Sequence, residues 1–122
     1  MTKVEAIIDS IAHWERMISW VKQQNPLEQI NPYIMKDKLG ELWDEENCAL
    51  CKYSTDEKGK VNCAMCPLAK NLVYCNTPDS LWTKIHFSSN WSEWVENAEE
   101  MLAILKELFA KEIAIEASPQ KI

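Results

Sequence analysis

Val4, Ile7, Ile11, Trp14, Ile18 and Val21 recur at spacings of 3, 4, 3, 4 and 3. That repeat places side chains on one stripe of an α-helix. Thr2 followed by Glu5 fits a capping box, in which hydroxyl and carboxylate satisfy the first free N–H groups. Asn25-Pro26 supplies the stop, because the residue before proline is pushed out of the α region. These signals predict a helix over 3–24. Asn31-Pro32 then offers a cap and a proline at the first helical position. Ile34, Met35, Leu39, Leu42 and Trp43 predict a second helix over 32–46, weakened at Gly40. Its end is acidic (Asp44, Glu45, Glu46), the sign a helix C-terminus disfavours. Thr77-Pro78 starts a third helix with Leu81, Trp82 and Ile85 on one side. Asn90 followed by Glu93 opens the last. Trp91, Val95, Ala98, Met101 or Leu102, Leu105, Leu108 or Phe109, and Ile113 carry its stripe over 91–116. Residues 117–122 read as a frayed tail.

Residues 48–75 break the pattern. Apolar material is sparse before Leu68, and residues 54–60 (STDEKGK) read as an exposed turn. The expectation is a mainly α, single-domain chain over 1–122. A small bundle pairs its long first and last helices, the two shorter helices close it, and a cysteine lobe at 48–75 is inserted in a helical body of 3–46 and 78–116. Strand is limited to one short hairpin inside that lobe.

Composition narrows the function classes. Of 122 residues, 47% are hydrophobic and 26% charged, an ordinary globular balance. No apolar run approaches the roughly 18 residues that span a bilayer. The first residues carry acids and a histidine inside their apolar pattern, unlike a signal peptide, which predicts a cytoplasmic protein. The net charge is −6, and Arg16 is the lone arginine. Phosphate neutralisation and base readout are poorly supplied, which argues against nucleic acid. Gly40 and Gly59 are the only glycines, too few for a glycine-rich phosphate loop.

All five cysteines fall within 28 residues: Cys48-x2-Cys51, eleven residues, Cys63-x2-Cys66, eight residues, Cys75. A C-x2-C pair brings two thiolates within reach of one ion, and two pairs joined by a turn make a tetrahedral four-sulfur site. A reducing compartment and an odd count argue against disulfides. A redox C-x2-C needs a βαβ context that this chain lacks. Zinc is the expected metal. An iron–sulfur cluster, with redox or electron-transfer activity, is the alternative, because Cys66-Pro67 matches a proline step of ferredoxin ligation. Four ligands suffice for either, so which four of the five bind stays open. Lys52, Lys58, Lys60 and Lys70 against Asp56 and Glu57 leave the segment at +2. That charge offsets the −2 of a zinc tetrathiolate, and only a nucleic-acid-binding zinc domain would put it to another use.

Cys48-Ala49-Leu50-Cys51, Cys63-Ala64-Met65-Cys66-Pro67-Leu68 and Cys75-Asn76-Thr77-Pro78 resemble a motif set of short, uncharacterised bacteriophage and prophage proteins. The resemblance covers about residues 43–82. It implies that all five cysteines belong to one metal-binding module, and it implies no established activity. The pattern also places a glycine shortly before the last cysteine, where this chain has Asn71-Leu72-Val73-Tyr74.

Six tryptophans and two acidic faces complete the inventory. Most of the tryptophans sit at core spacing; Trp20 and Trp94 fall beside their stripes and become candidates for an exposed contact surface. Glu96 and Glu100 join them as candidate partner-binding residues, facing a basic protein surface. His13, beside its stripe, reads as surface or half-buried, and His86 as a helix-end residue. A closed four-thiolate site leaves no vacancy for catalysis. The expected function is therefore a non-enzymatic, metal-binding interaction module, a phage-encoded accessory or host-modulating factor, with a protein partner.

Overall fold

A computed structural model of the chain describes residues 2–43, Leu50 and 81–117, with backbone alone at 116 and 117. Those residues are mainly helical and contain no strand. Their helices are α1 (Lys3–Val21), α2 (Pro32–Leu39), α3 (Leu81–His86) and α4 (Trp91–Ala117).

The start of α1 follows its local signal. The Thr2 hydroxyl accepts from the Glu5 N–H, and the Glu5 carboxylate accepts from the Thr2 N–H, closing the capping box. The helix ends at Val21, three residues short of the predicted end at 24. Gln23 and Gln24 already donate in tight turns to Trp20 and Val21, and the Asn25 side chain accepts from the Leu27 N–H. This loop has a second task. The Pro26 and Glu28 carbonyls accept from the Ser92 and Trp91 N–H groups, and the Asn90 side chain accepts from Glu93. The free N–H groups that open α4 are thereby satisfied from outside the helix.

Asn31 caps α2 through Tyr33 and Ile34, with Pro32 in its first turn. The expected extension to 46 does not occur. Gly40 takes a left-handed conformation at φ 76°, and its N–H closes onto the Lys36 carbonyl. Glycine adopts that geometry without the Cβ clash other residues meet, so the helix stops there. The acidic run 44–46, the Thr77-Pro78 start, the hairpin and the tail beyond 117 lie outside the described residues.

The two long helices pack antiparallel. Lys3 pairs with Glu112 at 3.4 Å at one end, and Lys22 pairs with Glu99 at 2.8 Å toward the other. Between them, α4 buries Trp91, Trp94, Ala98, Met101, Leu105 and Leu108, spaced 3 and 4 alternately. α1 buries a wider arc than its predicted stripe: Ala6, Ser10, His13 and Met17 join Ile7, Trp14, Ile18 and Val21. It is wider because α1 serves two neighbours, α4 on one side and the segment around Glu41 on the other. Met35, Trp43, Leu50 and Ile85 complete the buried cluster.

Candidate functional site

Tryptophans gather where α1 ends and α4 begins. Trp94 is fully buried and touches three other indoles: stacked on Trp14 with ring centroids at 6.1 Å, tilted on Trp43 at 5.3 Å, and edge-to-face on Trp91 at 5.9 Å. Trp20 meets Trp91 edge-to-face at 5.5 Å. Such offset and edge contacts favour aromatic pairs beyond simple burial. The expectation that Trp94 offers an exposed contact surface is thus corrected. It occupies the 3-4 stripe that faces α1, a register offset by one from the stripe written through Val95. Its indole N–H is buried without an acceptor among the described residues.

Trp20 is half-buried, and it lines an open groove with Arg16, Ser19, Gln23 and Leu39. Glu96 and Glu100 are exposed on α4. Trp20 and the two glutamates are therefore accessible, but no contact joins them into one site among the described residues.

The cysteine segment is anchored to this tryptophan end. Cys48, Cys51, Cys63, Cys66 and Cys75 themselves lie outside the described residues. The residues that flank them are in place. The Trp82 indole N–H donates to the Trp43 carbonyl at 2.7 Å. The Trp43 indole N–H in turn donates to His86 Nδ1 at 3.3 Å. The Trp82 and His86 rings lie parallel, 9° apart, with centroids at 5.0 Å. Trp43 precedes the segment and Trp82 follows it, so this chain of contacts holds the described residues on either side of the segment next to each other. Leu50, inside the first C-x2-C pair, is 1% exposed and belongs to the core.

His86 is exposed at the end of α3. Its Nδ1 accepts a hydrogen bond, so the ring proton sits on Nε2. Binding a metal through Nε2 would move the proton to Nδ1, against the Trp43 N–H. His86 is thus set up as a structural acceptor rather than a ligand.

His13 departs from its expectation. It is 4% exposed, with Nδ1 at 2.9 Å from Glu41 Oε1. Arg16, one turn further on, places its guanidinium on both oxygens of the same carboxylate. The Arg16 hydrogen bonds, followed by that from His13, hold the Glu41 carboxyl below its ordinary value of 4.5. Glu41 likewise raises Arg16. This cluster ties α1 to the stretch between Gly40 and Trp43, the lead-in to the cysteines. The spacing of His13 and Arg16 on one helix was visible in the sequence, but their shared partner lies across a turn whose geometry depends on Gly40.

Among the described residues no group of three or more His, Cys, Asp or Glu side chains is arranged to hold a metal ion. No described helix is long and apolar enough to cross a membrane. No family model, curated protein or solved structure matches the chain.

Proposed function

We propose that this chain is a small metal-binding protein that acts by binding another protein. Four of the five cysteines Cys48, Cys51, Cys63, Cys66 and Cys75 hold one zinc ion, and the metal orders the inserted segment without performing chemistry. The observation that carries the reading is the joined stem, in which Trp82 donates to Trp43, so that the chain on the two sides of the cysteine segment starts from one place. With those flanking residues already held, a metal has only to order the loop between them. Leu50, which lies between Cys48 and Cys51 in the sequence, supports the same reading by being buried in the core. The engagement of His13 with Glu41 and of His86 with Trp43 gives both histidines other partners, which suits an all-sulfur, tetrahedral site. Trp20, Glu96 and Glu100 are the accessible groups offered to a partner with a basic surface, and the cysteine motifs suggest an accessory role of the phage kind.

Elemental analysis with an absorption spectrum on anaerobically purified full chain tests the metal. One zinc per chain and no visible colour are expected. Iron with sulfide and a brown chromophore would replace this reading with an iron–sulfur redox protein. Neither metal would remove it.

A further inference from the structure

Three of the residues that line the Trp20 groove lead to Trp43. Arg16 holds both oxygens of Glu41, which stands just before Trp43 in the chain. Trp20 meets Trp91 edge-to-face at 5.5 Å, and Trp91 meets Trp43 edge-to-face at 6.5 Å. Leu39 ends α2 and is joined to Glu41 through the left-handed turn at Gly40. The walls of the groove come from α1 on one side and the end of α2 on the other. The contacts that set them relative to each other converge on one buried side chain.

Trp43 is itself held from α3. Its carbonyl accepts from Trp82 and its indole N–H donates to His86, while its ring packs on Trp94. Trp43, Trp91 and Trp94 are all buried. A close-packed interior has no void to absorb the displacement of an indole. A shift of Trp43 is therefore passed to Trp91 through the rings and to Glu41 through the backbone.

We propose that the stem regulates the groove. With Trp43 held by Trp82 and His86, the walls at Arg16, Trp20 and Leu39 are preset for a protein partner. With Trp43 released, the partner must order them itself and binds more weakly. This rests on the reading above, in which zinc orders the segment and Trp20 is offered to a partner, and it makes zinc the effector. All five cysteines lie between Trp43 and Trp82 in the sequence. A metal held by four of them shortens the free loop that the stem closes, so zinc favours the joined stem. Linkage requires the converse, that whatever holds the groove in place tightens zinc by the same factor.

Zinc itself is the probe. The full chain carrying 5-fluorotryptophan, with the Trp20 fluorine resonance assigned through Trp20→Phe, is compared before and after zinc replaces a chelator. The Trp20 resonance is expected to move in the wild type and to move less in Trp82→Phe, whose stem lacks the donor to Trp43. In competition with a chromogenic chelator, Trp20→Ala should weaken zinc by about threefold, with no change of charge and an unchanged helical circular dichroism spectrum. One zinc per chain with a Trp20 resonance that does not move, or with an affinity indifferent to Trp20→Ala, would overturn the regulation and leave the metal reading intact. A chain that binds no zinc would overturn that reading, and regulation by metal with it.

Discussion

Glu41 is the residue on which the approach to the cysteine segment turns. It is 20% exposed and satisfies a buried histidine and an arginine together. Its lowered pKa fixes the sign of its effect on stability. The contribution is complete above the unfolded value near 4.5 and is lost as pH falls through the folded value. Glu41→Gln should cost about 1–2 kcal/mol at neutral pH, since the buried His13 loses a charged partner. The same change should flatten the wild-type decline in stability below about pH 4.5, measured as urea midpoints across pH. Trp94 poses a different question, because its indole N–H is buried without an acceptor among the described residues. Trp94→Phe removes that N–H together with some packing, and the two effects oppose each other. A loss below about 2 kcal/mol is expected by thermal or denaturant unfolding, against about 3–5 kcal/mol for Trp94→Ala. Had the N–H been well paired, the phenylalanine variant would cost nearly as much as the alanine one.

Helix starts were legible in the sequence, because a cap is a local arrangement of three or four residues. Thr2 with Glu5, Asn31 with Pro32, and Asn90 with Glu93 all take the places their spacing predicts. Helix ends were less legible. α2 ends at Gly40 although apolar residues continue in period, since a left-handed glycine outweighs two further hydrophobic positions. Gly40→Ala tests that reading. Nothing lies within 4 Å of an added Cβ, so its cost is backbone strain alone, about 1 kcal/mol. Gly40→Asn should cost less, because asparagine tolerates the left-handed region. Equal losses from the two substitutions would point instead to crowding. The exposure of Trp94 was misread for a related reason. A stripe drawn at 3 and 4 can be laid through either Trp94 or Val95. Only the antiparallel neighbour decides between them, and that neighbour lies about eighty residues away in the chain.

At the scale of the whole molecule, the residues that flank the cysteine segment, Trp43 and Trp82, meet at one junction on the helical body. The body has a core of its own: α1 and α4 bury matching stripes, and α2, Trp43 and Ile85 close one flank. The cysteine spacing was plain in the sequence, but the contact between the flanking Trp43 and Trp82 was not, since nothing local links them. If zinc orders the segment as proposed, its removal should affect the two parts unequally. Adding a strong chelator to the zinc-loaded chain should leave most of the far-ultraviolet helical signal, because the body does not depend on thiolate ligation. Tryptophan fluorescence should change, because Trp43 and Trp82 form the stem and Trp43 also touches Trp91 and Trp94. Trp82→Phe keeps the ring stacked on His86 but removes the donor to the Trp43 carbonyl. In that variant position 82 no longer holds Trp43, and a metal bound as proposed would also have to bear the closure entropy of the loop. Zinc affinity, measured by competition with a chromogenic chelator, should fall by roughly tenfold, the equivalent of one hydrogen bond of about 1–1.5 kcal/mol. An unchanged affinity would show that the stem and the metal act independently, and collapse of the helical signal on chelation would show that the body is not self-sufficient.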